Sequence, residues 1–203
     1  FLTYLRNQGK YFCAEENLWL HVDGAYGAAV CLTERGKRLL AGIERADSLS
    51  LDPHKWMFQP FETGCVLLRD ARLLKKTFHT MAEYLEDTKR AEAEEINYYD
   101  YGPQLTRSFR ALKLWLSLKT FGAAAFRAAI ERGFALAEFA EDTLRQRDCW
   151  QIVTPATMGI VTFRFVVPGA GLSETNELHR RMVEAMAEDG FDFANSTALG
   201  GQT

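Results

Sequence analysis

Three short, apolar, β-prone runs set the tightest limit on what this chain can fold into. They are Leu18 to Val22, Ser48 to Leu51 and Cys65 to Leu68. Turn-forming residues bound each run. Asp23-Gly24-Ala25-Tyr26-Gly27 breaks the first and Asp52-Pro53 ends the second, while Gly64 and Arg69-Asp70 flank the third. Short apolar runs bounded this way read as buried strands. Strands separated by helical or irregular stretches predict an α/β domain with a largely parallel sheet.

Helical patterns fill much of the remainder. Leu2 to Cys13 reads as a helix with Leu2, Leu5 and Phe12 among its apolar positions. Leu105 to Leu118 is a strong helical pattern carrying Leu112, Trp115 and Leu116. Gly122 marks a break, and Ala123 to Arg145 continues as a second long helix. Ile152-Val153 and Ile160 to Phe165 follow as strands, then a helix from Ser173 to Glu188 with Ser173 as N-cap, and a last strand at Phe191-Asp192-Phe193. The second half thus reads as a smaller α/β domain, dividing the chain into residues 1–118 and 119–203. Between the two halves, Met81 to Asn97 carries eight charged residues and little to bury. It reads as a solvated helix or surface loop, or as a mobile active-site loop.

Bulk properties exclude several classes. A net charge of -3 leaves no electrostatic footprint for nucleic acid. No apolar run approaches the roughly 20 residues that span a bilayer. Cys13, Cys31, Cys65 and Cys149 are scattered with no C-x-x-C pair, the pattern of free thiols in a reducing cytoplasm. His21, His54, His79 and His179 have no metal-ligand spacing, so no metal site is expected. The chain opens on Phe1 without a signal-like segment and stops in the turn-like Ala198 to Thr203. Both ends suggest a piece of a longer polypeptide.

Two strings concentrate chemistry. In Trp19-Leu20-His21-Val22-Asp23-Gly24-Ala25-Tyr26-Gly27, a carboxylate follows a buried strand, at the edge where α/β sheets bind ligands. In Ala46-Asp47-Ser48-Leu49-Ser50-Leu51-Asp52-Pro53-His54-Lys55-Trp56, a strand ends in proline before an adjacent histidine and lysine. Taken singly, each residue has a structural explanation: a solvated lysine, a capping aspartate, a hydrogen-bonded histidine. Taken together they match the demands of pyridoxal phosphate. That cofactor needs a lysine amine for its Schiff base, an acid opposite the pyridine nitrogen, and groups against the ring faces. Lys55 and Asp23 suit the first two roles. Ala25 is small enough for a ring to lie flat against it, and His54 adjoins the lysine.

These strings, His21-Val22-Asp23-Gly24-Ala25-Tyr26-Gly27 and Asp52-Pro53-His54-Lys55-Trp56, resemble the group II pyridoxal-phosphate-dependent decarboxylases, which include the aromatic L-amino acid decarboxylases. The resemblance continues through Leu105-Thr106-Arg107-Ser108-Phe109-Arg110-Ala111-Leu112-Lys113-Leu114-Trp115 and so covers most of the chain. It implies a fold-type I, aminotransferase-like α/β fold, an obligate homodimer, and loss of CO2 from an L-amino acid, aromatic by the resemblance alone. It makes Lys55 the Schiff-base lysine and pairs Asp23 with the pyridine nitrogen. Ala25 would pack on the ring, and His54 would lie beside the cofactor. Ser48 and Asp52 lie in the strand leading to the lysine, toward the phosphate. Asp52 stands where some animal members have asparagine, and a carboxylate there would repel a phosphate unless a cation or proton intervened.

The resemblance also implies a loop tyrosine that protonates the substrate carbon after CO2 leaves. Tyr98, Tyr99 and Tyr101 are the candidates, and counting back from Leu105 favours Tyr98. The family's ring-stacking histidine and main phosphate contacts would lie before Phe1, and a final strand of the small domain after Thr203. Competing readings are a decarboxylase of glutamate, cysteine sulfinate or diaminobutyrate, another fold-type I aminotransferase or lyase, and a catalytically silent, structural or dimer-forming piece. The Asp-Pro-His-Lys-Trp string argues against the aminotransferase.

Overall fold

The computed structural model describes residues 10–79, 96–190 and 194–198. Residues 2–9 of the Leu2–Cys13 helix, most of the charged Met81–Asn97 stretch and the Phe191–Phe193 strand lie outside the described residues. The chain divides into two compact units, Phe1–Arg127 and Ala128–Thr203.

The first unit is built on a three-stranded sheet in the order β1 (His21–Asp23), β2 (Ser48–Leu51), β3 (Cys65–Leu68). β1 and β2 are parallel, with His21 opposite Ser48 and Asp23 opposite Ser50. β3 runs antiparallel to β2, with Ser48 opposite Leu68 and Leu51 opposite Cys65. A parallel pair needs a long crossover. Here it is supplied by a 3-10 turn at Ala28–Leu32, helix α2 (Glu34–Leu39) and a second 3-10 turn at Ile43–Arg45. Helix α1 (Lys10–Glu15) precedes the sheet and α3 (Arg72–Phe78) follows it.

The first strand is shorter than its apolar run predicts. Leu18 and Trp19 are about half exposed, and pairing begins only at His21. Side chains take over before it: the Leu20 N–H donates to Asp47 Oδ2 (2.8 Å), and the Trp19 Nε1–H donates to Ser48 Oγ (2.8 Å).

The crossover is tightly fitted. The Thr33 hydroxyl caps α2 by accepting from the Gly36 N–H (2.9 Å) and donates to the Val30 carbonyl (3.0 Å). A Cβ on Gly36 would sit 1.8 Å from that carbonyl oxygen. Alanine is ordinarily the better helix former, by about 1 kcal/mol. Here the clash with backbone outweighs it, so Gly36→Ala is expected to destabilise the protein by about 1–3 kcal/mol. Urea unfolding monitored by circular dichroism measures the shift, and an unchanged midpoint would contradict this packing.

Ala29, Met57 and Phe126 form the unit's buried cluster, with Leu32, Leu51, Trp56, Leu114 and Leu118 packed against it. Leu114, Leu118 and Phe126 belong to the helical span α4 (Ala111–Arg145), which is interrupted at Gly122 (φ 75°, ψ 156°), the break the sequence marks. The pattern beginning at Leu105 is helical only from Ala111, and Leu105 and Phe109 are left exposed.

In the second unit, β4 (Trp150–Thr157) and β5 (Ile160–Phe165) form an antiparallel hairpin. Its two-residue turn, Met158-Gly159, has both φ angles positive (49° and 77°), as the right-handed twist of such hairpins demands. The Trp150 ring packs edge-on against Phe163 and Phe165. Helix α5 (Leu172–Asp189) holds the buried His179, whose Nε2 is hydrogen bonded to the backbone of Phe165. Ser173 lies inside this helix and is not its cap; Gly171 occupies that position, with no side-chain bond. Among the described residues, no helix is long and apolar enough to cross a membrane.

Candidate active site

The parallel pairing of β1 and β2 brings the two chemistry-bearing strings to the same sheet end, and the ladder continues beyond both strands. The Gly24 N–H donates to the Ser50 carbonyl (3.1 Å), and the Asp52 N–H donates to the Ala25 carbonyl (3.1 Å). Gly24 is needed at this point. A Cβ there would lie 2.6 Å from Ala28 Cβ and 2.9 Å from the Ser50 carbonyl oxygen. The Tyr26 and Trp56 rings then meet edge-on at 5.5 Å, linking the two loops a second time.

Lys55 projects from a series of tight turns. Its N–H donates to the Asp52 carbonyl (2.9 Å), the Phe58 N–H donates to the Lys55 carbonyl (3.2 Å), and the Gln59 N–H donates to the Pro53 carbonyl (3.1 Å). Pro53 and Met57 are buried and Trp56 packs on the core, so the turn is fixed from beneath while the lysine side chain remains 39% exposed. Its Nζ pairs with Asp52 Oδ2 at 2.8 Å. The carboxylate of Asp52 therefore has its cation in Lys55, with His54 Nε2 a further 3.9 Å contact.

His54 is oriented from its other nitrogen. Nδ1 lies 2.8 Å from the Thr63 carbonyl and 3.4 Å from the Thr63 N–H, which leaves Nε2 facing Asp52. The loop that supplies Thr63 is braced by the start of α4. Lys113 Nζ donates to the Pro60 and Glu62 carbonyls (2.8 and 2.7 Å), and Ser117 Oγ donates to Gln59 Oε1 (3.0 Å). Arg110, the residue before the helix, pairs with Glu62 at 2.6 Å and holds that carboxyl below the usual range.

Asp23 is an exposed carboxylate whose two donors converge on one oxygen. The Ala25 N–H (3.1 Å) and the Ser50 hydroxyl (2.8 Å) both donate to Oδ1. They hold its carboxyl below the ordinary value, with a smaller contribution from the charges of His21 and Lys55. Oδ2 accepts no hydrogen bond among the described residues. Ala25 contributes its backbone on both sides, N–H to Asp23 and carbonyl to Asp52.

An exposed anion and an exposed primary amine, held on adjacent strand ends, suit a carbonyl cofactor bearing a basic ring nitrogen. The continued ladder sets the strand end carrying Asp23 and Ala25 beside the one leading to His54 and Lys55. Ser48 is buried, and its hydroxyl is occupied by Trp19 and His21 Nδ1 (2.7 Å), so it bridges β1 and β2. Tyr98 lies elsewhere in the unit, in a 3-10 turn at Tyr98–Tyr101 packed against α3. Its ring is exposed and has the Arg107 guanidinium 5.6 Å from its centre, whereas Tyr99 and Tyr101 are half-buried. All four cysteines are free, and burial pushes the Cys31 and Cys65 thiols up, away from a reactive thiolate.

Ser50, Arg110 and Lys113 were not singled out by sequence reasoning. Ser50 was detectable in principle, because it sits directly opposite Asp23 in the parallel register. Replacing Ser50 with alanine is expected to raise the Asp23 carboxyl toward its ordinary value. Carbon-detected NMR titration of the aspartates measures this, and an unmoved Asp23 would show that the hydroxyl does not hold it.

Residues 7–166 match the family model described as the pyridoxal-dependent decarboxylase conserved domain. The chain is 48% identical over 194 residues to an aromatic-L-amino-acid decarboxylase of Bacillus atrophaeus, covering 95% of this chain and 40% of that protein. It is 32% identical over 189 residues to tryptophan decarboxylase 1 of Oryza sativa subsp. japonica, covering 91% of this chain and 37% of that one. Among solved structures, Oryza sativa TDC with PLP and tryptamine superposes with a TM-score of 0.87 at 30% identity, over 95% of this chain and 40% of that one. Mouse CSAD does so with a TM-score of 0.82 at 26% identity, over 95% of this chain and 41% of that one. The chain thus spans about 40% of the length of the relatives it matches.

Proposed function

Because this chain belongs to the pyridoxal-dependent decarboxylase family and has its fold-type I α/β architecture, we propose that it carries the cofactor-anchoring part of an amino acid decarboxylase acting on aromatic substrates. The observation that carries this reading is the paired strand-end site: Lys55 and Asp23, joined by the continued β1–β2 ladder, with the outer oxygen of Asp23 left open. Bound pyridoxal phosphate supplies an electron-poor ring that accepts the electrons released when the substrate carboxylate leaves as CO2.

The chain's own residues do the remainder. Lys55 holds the cofactor covalently, with Asp52 as the counter-ion that orients its amine at rest. Asp23 would pair with the ring nitrogen and favour its protonated form, because its own carboxyl is held below the ordinary value by the Ala25 N–H and the Ser50 hydroxyl. Ala25 leaves room for the ring, and His54, oriented by Thr63, lines the site beside the lysine. Tyr98 gives its proton to the carbon that has lost CO2, and its exposed ring is the one of the three tyrosines free to reach a substrate. All these residues fall within the first unit. The full-length protein is read as a cytoplasmic homodimer, with the smaller α/β portion following the cofactor domain.

The aromatic preference follows the Bacillus relative at 48% identity, against 26% for mouse CSAD. Turnover of tryptophan, tyrosine, phenylalanine, glutamate and cysteine sulfinate by the full-length holoenzyme tests it. An aromatic substrate is expected to lead in kcat/KM by at least about 100-fold, since a pocket built for a ring leaves a charged side chain unpaired. Preference for an acidic substrate would reverse the assignment.

A further inference from the structure

Asp100 is the one buried carboxylate among the described residues, with 3% of its side chain exposed. A charge so placed requires partners, and both come from the end of a single helix. His79 Nδ1–H donates to Asp100 Oδ1 at 2.8 Å, the carboxylate fixing the proton on that nitrogen, and Lys75 Nζ lies 3.7 Å from Oδ2. Lys75 is in the last turn of α3, and His79 is its C-cap, its N–H donating to the Lys75 carbonyl (2.9 Å). The i, i+4 spacing puts both side chains on one face, and Lys75 lies at the helix end where positive charge is favoured.

Asp100 itself sits in the 3-10 turn Tyr98–Tyr101, its N–H donating to the Asn97 carbonyl (3.0 Å). The His79–Asp100 bond joins α3 to the turn across 21 residues of sequence. The same turn carries Tyr98, with Arg107 against its ring.

We propose that Asp100 is a positioning residue for Tyr98: clasped by His79 and Lys75, it fixes the turn on α3 and so sets where the Tyr98 hydroxyl delivers its proton. The inference rests on the reading of Tyr98 as proton donor. In that step the tyrosine O–H bond breaks and a C–H bond forms at the carbon that has lost CO2. Solvent then restores the proton to the exposed oxygen.

The test uses the full-length holoenzyme and measures CO2 release and amine formation in the same reaction. Asp100→Asn removes the charge at nearly constant shape, and His79→Gln loosens the clasp from its more exposed side. Each is expected to slow amine formation about 10- to 100-fold through misplacement of the donor, with KM little changed. Neither should slow it further in a Tyr98→Phe background. Amide hydrogen exchange across residues 98–101 of the cofactor-free protein should accelerate in both. If Tyr98→Phe is impaired while both clasp variants match wild type, the clasp proposal falls and the tyrosine reading stands. If Tyr98→Phe is itself unimpaired, both fall. Additive losses in the double variants would also overturn the proposal, because Asp100 would then act other than through Tyr98. Should Asp100→Asn fail to fold, His79→Gln decides by the same criteria.

Discussion

Full-length protein carrying Lys55→Ala is expected to lose covalent capture of pyridoxal phosphate and to lose kcat/KM by about four orders of magnitude or more, the scale seen when a covalent nucleophile is removed. The loss is chemical and not structural. The Lys55 side chain is 39% exposed, while its neighbours Trp56 and Met57 hold the turn. Removing it leaves Asp52 without its cation, but that carboxylate is a quarter exposed and water can solvate it. The variant should therefore unfold at nearly the same denaturant concentration as wild type. Lys55→Arg keeps the positive charge beside Asp52 yet should be equally inactive, since a guanidinium does not lose its proton to form a Schiff base. An arginine variant with substantial activity would mean that the charge, and not the amine, is what the site uses.

The second large effect falls on Asp23→Asn, which changes charge without changing shape. The Ala25 N–H and the Ser50 hydroxyl still require an acceptor at the inner position, so the amide oxygen must take the place of Oδ1. Its NH2 group would then face outward as a donor, which favours an unprotonated ring nitrogen. The fixed negative charge that would keep the ring protonated is lost. A fall of about 100- to 1,000-fold in kcat is expected, the size found when one preorganised electrostatic group is lost. Cofactor affinity should weaken as well, measurable by titrating the cofactor-free variant. A near-wild-type Asp23→Asn would remove Asp23 from the role assigned to it.

The sign of the Asp23 shift sets its pH behaviour. Its carboxyl is held below the ordinary value, chiefly by the Ala25 N–H and then by Ser50. The anion therefore persists as pH falls through about 4, where an unperturbed aspartate is half protonated. The linked contribution to stability is present above that value and is lost as pH falls from there through the lowered pKa. Any activity loss between about pH 5 and 6 should accordingly be the same in wild type and Ser50→Ala. A Ser50→Ala profile displaced toward higher pH in that window would assign the acid limb to Asp23.

The parts of this site legible in the sequence are those whose chemistry is local. A carboxylate just past a β-prone run, and a Pro-His-Lys string just past another, were readable as strand ends facing a ligand crevice, and the parallel β1–β2 pairing puts them side by side. The groups that tune them were not legible, because each depends on pairing across the fold. Ser50 matters only because the register sets it opposite Asp23, and Lys113 and Arg110 only because α4 passes the loop at residues 59–62. His79 and Asp100 are 21 residues apart with the charged stretch between them.

Element ends failed for a related reason. Leu18 and Trp19 have strand-forming side chains, but the sheet offers them no paired position, and side chains of Asp47 and Ser48 take the hydrogen bonds instead. Residues 105–110 have helical spacing. Arg107 and Arg110 are used outside a helix, against Tyr98 and Glu62, and the helix starts after them. Ser173 has the right chemistry for a cap, yet the helix begins one residue before it.

Lys55 is the residue assigned here to hold the cofactor. Borohydride reduction of the full-length holoenzyme, followed by peptide mapping, tests it directly, because reduction makes the lysine–cofactor link permanent. The pyridoxyl group is expected on the peptide containing Asp52-Pro53-His54-Lys55-Trp56, at Lys55 and on no other lysine in stoichiometric amount. A stoichiometric label on a different lysine, or a holoenzyme that retains cofactor but carries no label, would contradict the account.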